Sequence, residues 1–170
     1  MAILRILEVP HPVLKKRAVP VARVDEEVRR LVRDMFETMY EAPGIGLAAP
    51  QVGVGRRLCV VDVSEDKNAP LCLINPEITW RSENLVTAEE GCLSLPDQYA
   101  EVTRPDAVEL VYQDETGAER KLRAEGLLAR CIQHEVDHLD GILFIDHVSA
   151  LKRNMILRKL AKARRLKASA

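Results

Sequence analysis

No C-x-x-C pair joins the four cysteines at 59, 72, 92 and 131, and nothing upstream of them resembles a secretory signal. A disulfide framework is therefore not expected, and a reducing cytoplasm is the expected setting. No apolar stretch approaches the roughly 18 residues a membrane span needs, so the chain is expected to be soluble, without a membrane partner. No internal repeat, low-complexity segment or long linker divides the 170 residues. They fit a single domain over 1–170, large enough to bury roughly two thirds of the surface its unfolded form exposes. Acidic residues are missing from the end of the chain: 149–170 carries eight basic residues and no acid, whereas 1–148 carries 17 basic and 26 acidic residues. An overall charge of −1 thus conceals a body of −9 and a tail of +8. That asymmetry points to a polyanionic partner. Sequence-specific DNA binding is not expected.

What is present reads first as a helix over 26–41. Asp25 precedes Glu26 and Glu27, and apolar residues follow at Val28, Leu31, Val32, Met35, Phe36, Met39 and Tyr40, which is helical spacing behind a cap. Pro43 and Gly44 end it. The next segment, G-I-G-L-A-A-P-Q at 44–51, is rich in small residues and breakers and reads as a close-approach loop. Between Arg57 and Lys121 the pattern turns to strands, with runs at 58–63, 71–75, 108–112 and 118–122 and a hairpin turn at 114–117. A second helix is predicted from about Glu125 to Leu139, stopped near Gly141, and a third, capped by Ser149, runs into the basic tail over about 149–168. The absence of βαβ alternation makes this an α+β domain, with antiparallel sheets around a central helix flanked by an amphipathic N-terminal helix and a basic C-terminal one.

His134-Glu135-Val136-Asp137-His138 is an H-E-x-x-H sequence inside the second predicted helix. Its four-residue interval puts both imidazoles on one face, one turn apart, with Glu135 beside the open side of an ion they would share. On an ordinary helix the same letters would be no more than surface or core histidines. A catalytic site of this type needs a third ligand. The longer pattern H-E-x-x-H-x-x-G-x-x-H matches through Gly141 and fails at Phe144, His147 comes three residues late, and no glutamate follows Glu135. The third ligand therefore comes from upstream, and cysteine is the best remaining type. Cys131 shares the helix but lies roughly 7.5 Å along its axis from the midpoint of the histidine pair, beyond the roughly 4 Å that a thiolate arm and its metal bond cover. Cys59 and Cys72 sit in apolar strand-like runs. Cys92, after Glu90-Gly91 and outside any such run, is the predicted ligand.

Three segments, Gly44 to Gln51 (G-I-G-L-A-A-P-Q), Glu90 to Ser94 (E-G-C-L-S) and Gln133 to Gly141 (Q-H-E-V-D-H-L-D-G), together resemble the signature motifs of bacterial peptide deformylases of the Gram-negative type. The opening I-L-E-V-P-H-P-V-L and the basic last helix are similar as well. The resemblance implies hydrolysis of the formyl group from the N-terminal formylmethionine of newly made polypeptides, with release of formate. It implies metal ligation by Cys92, His134 and His138 and catalysis by Glu135. Gln51 and the backbone N–H of Leu93 would stabilise the oxyanion, and the backbone at Ile45, Gly46 and Gly91 would hold the peptide as an added strand. It further implies a divalent ion, ferrous iron as the native one, with zinc, nickel or cobalt as substitutes. An aliphatic residue is common at the position of Arg130, although arginine also occurs there. Since such enzymes act on nascent chains, the polyanion that fits the basic tail is the ribosome. Truncation after about Leu157 is then expected to spare turnover of small peptides while weakening ribosome binding.

Two other readings share these features. A metallopeptidase uses the same H-E-x-x-H but would need the downstream ligand that is missing, and it would cleave internal amides. A non-catalytic ribosome- or RNA-binding protein with a structural metal would close its coordination shell with a fourth protein ligand.

Overall fold

In the computed structural model, which describes residues 2–169, the first helix, α1 (Glu26–Glu41), starts where the side chain of Asp25 accepts the backbone N–H of Val28 at 3.0 Å. Glu26 and Glu27 complement the positive end of its dipole. Its apolar stripe, Val28, Val32, Met35 and Met39, is buried. These side chains pack on one face of a five-stranded antiparallel sheet of order β1 (Gly46–Ala48), β2 (Leu58–Val61), β3 (Leu71–Arg81), β6 (Ala107–Gln113) and β7 (Glu119–Glu125). The second helix, α2 (Gly126–Leu139), covers the opposite face. Strand alternation makes this possible. Leu58 and Val60 of β2 point toward α1, Cys59 and Val61 toward α2, and a strand buried on both faces reads as an unbroken apolar run. Each fully buried side chain of Met or Leu size contributes about 1.5–3 kcal/mol through burial.

β4 (Leu85–Cys92) and β5 (Leu95–Pro105) form a separate two-stranded hairpin around the turn at Leu93 and Ser94. Its buried apolar residues, Leu95, Ala100 and Val102, join Phe144, Ile145, Ile156 and Leu160 in a third core cluster. Two bonds from Arg57 hold the C-terminal end of α2: Nη1 donates to Leu139 O at 2.8 Å and Nη2 meets Asp140 at 3.0 Å. The chain leaves α2 through Gly141 at φ +74, where a Cβ would also collide with the backbone of Lys15. The last helix, α3 (Ala150–Ala168), is capped by Ser149, whose Oγ accepts the Lys152 N–H at 3.1 Å.

The architecture is α+β, with antiparallel sheets around α2. Two local expectations need correction. Segment 44–51 is not a loop throughout, because Gly46–Ala48 pairs with β2 and Ala49–Val52 forms a 3-10 turn. The β-rich stretch also contains the 85–105 hairpin, which the expected runs did not delimit. No helix among the described residues is long and apolar enough to cross a membrane.

Candidate metal centre

α2 carries His134 and His138 one turn apart and buried, with their rings 5.0 Å apart between centroids. The β4 end brings Cys92 against them. One donor atom from each of the three residues lies within 4.8 Å of the others, and Cys92 Sγ is 3.3 Å from His138 Nε2. A tetrahedral ion with bonds of about 2.3 Å to sulfur and about 2.1 Å to nitrogen would space two such donors by about 3.5 Å, so this donor set fits a zinc-type or related divalent ion. Cys131 is turned away, its Sγ directed at Ile45 O at 3.5 Å, and Cys59 and Cys72 are buried in the sheet. Phe144 packs flat against His134 with ring centroids 6.2 Å apart, and His147 bonds Asp137 Oδ2 at 2.8 Å. The downstream acids are engaged elsewhere, Asp140 with Arg57 and Asp146 with Lys15.

His134 is oriented from behind by Glu90, whose Oε1 lies 3.0 Å from Nδ1, leaving Nε2 for the donor cluster. Glu90 is itself gripped by Arg104 through Nε at 2.6 Å and Nη2 at 2.9 Å, while Arg104 Nη1 reaches Asp137 at 2.9 Å. Burial alone would raise the Glu90 pKa, but the hydrogen bonds with His134 and Arg104 outweigh it and hold the carboxyl at about 2. Burial would likewise lower His134, yet its bonds with Cys92 and Glu90 push it well above the usual histidine range. For His138, burial and the neighbouring His134 act together and push it well below.

Glu135 follows His134 on α2 and is buried, with Oε1 lacking a protein hydrogen-bond partner. Burial raises its pKa to about 7, with His134 and Arg104 pulling it down and Glu90 and Asp137 pushing it up. Gly46 lies directly opposite: a Cβ there would overlap Glu135 Oε2 and come within 2.9 Å of Cys131 Sγ. Gln51 is buried, its Oε1 accepting the Ala48 N–H at 2.9 Å and its Nε2 facing Cys92 Sγ at 3.5 Å and Ser94 Oγ at 3.1 Å. Ile45, Gly46, Gln51, Gly91, Cys92, Leu93, His134 and Glu135 all border one cavity of about 720 Å³. Its two sides are β1, at the edge of the five-stranded sheet, and β4 of the hairpin, each paired with a neighbouring strand on one side only. Sequence reasoning gave no role to Glu90, Arg104, Asp137 or Ser94. Glu90 stood inside E-G-C-L-S, but nothing local linked it to Arg104, fourteen residues away.

Two buried histidines and a half-buried cysteine that meet at the wall of a cavity, with an acid beside them, are the arrangement of a metal-dependent hydrolase. A family model for polypeptide deformylase matches residues 3–154. A peptide deformylase of Rhizorhabdus wittichii is 54% identical over 177 residues, spanning 100% of both chains. The crystal structure of a peptide deformylase from Legionella pneumophila superposes with a TM-score of 0.93 at 46% identity, covering 99% of each chain. That of peptide deformylase from Ehrlichia chaffeensis in complex with actinonin gives 0.94 at 42% identity, covering 97% of this chain and 99% of the other. The chain belongs to the polypeptide deformylase family, metal-dependent hydrolases that remove the N-formyl group from nascent peptides.

Proposed function

We propose that Cys92, His134 and His138 hold one divalent ion and that Glu135 carries the proton in releasing formate from N-formylmethionyl peptides. The observation that carries this reading is the meeting of three donor atoms within 4.8 Å, next to a buried carboxyl with an unpartnered oxygen. A divalent ion held there would supply Lewis acidity and lower the pKa of water toward neutrality. Glu135, buried with one carboxyl oxygen free of protein partners, takes a proton from the attacking water and returns it to the departing amine. Gln51, its Oε1 anchored by the Ala48 N–H, presents Nε2 to the formyl oxygen together with the backbone N–H of Leu93, and both bonds strengthen as negative charge builds there. The backbone at Ile45 and Gly46 on one side and Gly91 on the other binds the peptide as an added strand.

Ferrous iron is the native ion in this proposal, on family resemblance; zinc, nickel and cobalt are substitutes that Cys-His-His chemistry accepts. Elemental analysis after anaerobic purification tests it. The enzyme works in the cytoplasm, where nascent chains emerge, and residues 1–170 form one catalytic domain. The ribosome is its docking partner through α3, which from Lys162 to Ala168 is exposed on every residue and carries Lys162, Arg164, Arg165 and Lys167. The decisive assay is formate release from formyl-Met-Ala-Ser set beside cleavage of its acetylated and internal-amide analogues. Turnover of the formyl peptide alone supports the reading, and cleavage of internal amides overturns it in favour of a peptidase.

A further inference from the structure

Arg130 lines the cavity, yet three acceptors take up its guanidinium. Nη1 donates to Glu90 Oε2 and to Val102 O at 2.9 Å, and Nη2 donates to Val86 O at 2.6 Å. The side chain is 12% exposed, and its bonds to Glu90 and Val102 are partly buried, whereas the bond to Val86 lies at the surface. Val86 and Glu90 lie on β4, Val102 lies on β5, and Arg130 stands one turn ahead of His134 on α2. One side chain of α2 thus grips both strands of the hairpin.

The grip matters because the hairpin is not hydrogen-bonded into the five-stranded sheet. Two strands alone have marginal stability, so the hairpin's position must come from contacts with its surroundings. Toward α2 those include Arg104 to Asp137 at 2.9 Å, Gln133 Nε2 to Pro105 O at 3.0 Å and His134 to Glu90. Gln133 acts at the far end of β5, whereas Arg130 acts in mid-hairpin, on the strand that ends in Cys92. The donor set is divided along the same line, with Cys92 on β4 and both histidines on α2. Any drift between hairpin and helix changes the distance from Cys92 Sγ to the imidazoles.

We propose that Arg130 is a positioning residue, a strap that locks the β4–β5 hairpin to α2 and so presets the metal-binding geometry. The proposal rests on the assignment of Cys92, His134 and His138 as ligands. A planar guanidinium can serve three acceptors in a fixed fork; a lysine ammonium keeps the charge but loses the fork. Methionine keeps the unbranched stem that borders the cavity and removes the head entirely.

The test is titration of the metal-free protein with Co²⁺ against a chromophoric chelator, together with the visible absorption of the cobalt-loaded protein, for wild type, Arg130→Met, Arg130→Lys and Cys92→Ala. Arg130→Met is expected to bind Co²⁺ about tenfold more weakly, the lower end of what losing an outer-shell partner costs. Its cobalt spectrum should be shifted or broadened, with unchanged far-UV circular dichroism. Arg130→Lys should fall between it and wild type, and it carries the test if Arg130→Met does not fold. Wild-type affinity and spectrum in Arg130→Met overturn the strap; full wild-type values in Arg130→Lys overturn it too, by showing that charge alone suffices. If Cys92→Ala binds Co²⁺ as tightly as wild type, the ligand assignment itself fails, a result that the Arg130 variants cannot produce.

Discussion

The region around α2 and the region around α3 use charge in opposite ways. At α2, Glu90, Arg104, Asp137 and His134 are joined at 2.6–3.0 Å in a mostly buried network in which each cation faces an acid. On α3, by contrast, Arg153 is the one cation among the described residues that reaches an acid, Asp146 at a loose 3.8 Å. Paired charge in a low dielectric fixes geometry, whereas unpaired charge in water is free to meet a partner and is screened by salt. The first arrangement suits holding ligands in place, and the second suits docking.

The comparison is broken most severely at the ligands. Cys92→Ala, His134→Ala and His138→Ala should each abolish stoichiometric metal in elemental analysis and remove detectable formate release, while Cys131→Ser keeps both. Next comes Glu135→Gln, for which normal metal content should accompany a fall in turnover of about 100-fold or more, typical of losing a general base. Near-normal turnover in that metal-loaded variant would exclude Glu135 as proton carrier.

Smaller effects separate the two regions by pH and by salt. The folded-state pKa of Glu90, about 2, lies below its ordinary 4.5, so its pairing stabilises the fold fully above about 4.5 and is lost as pH falls toward 2. A shift of that size corresponds to at most on the order of 3 kcal/mol. Urea denaturation of the metal-free protein between pH 5 and pH 3 should show this loss in wild type and a flatter profile in Glu90→Gln; identical slopes would mean Glu90 is not held as described. For α3, the useful cut lies after Leu160 rather than after Leu157, because Leu160 is buried and its removal would cost core packing as well as charge. The chain ending at Leu160 should turn over formyl tripeptides at the wild-type rate and pellet less with ribosomes. The intact chain should lose ribosome affinity steeply as salt rises. Equal pelleting of the two would remove the docking role.

The helices were the most legible part of the fold because their signals are local. Asp25 and Ser149 cap where their residue types lead one to expect, and the α1 stripe is buried as its spacing implies. The hairpin was hidden because one buried position in β5 holds the wrong kind of side chain. Ala100, Val102 and Arg104 alternate inward, so the inward-facing row ends in an arginine where an apolar residue would have marked a strand. Arg104 sits there for Glu90 and Asp137, partners 14 and 33 residues away that no window of sequence reveals. In the site, the H-E-x-x-H interval was readable because a helix converts four residues into one turn. The carboxylate of Glu90 behind His134 was not, since a hydrogen bond between distant segments leaves no periodic trace.

The cavity between the open edges of β1 and β4 has a further consequence, for the breadth of what the enzyme can accept. Amide groups repeat identically along every polypeptide, so a cleft that reads them receives the same message from any chain. Only where a side chain descends into the cavity does the message vary, and the first residue of a formylated chain is always methionine. In the proposed added-strand mode, selection falls on that first side chain, while the repeating amides align the chain behind it.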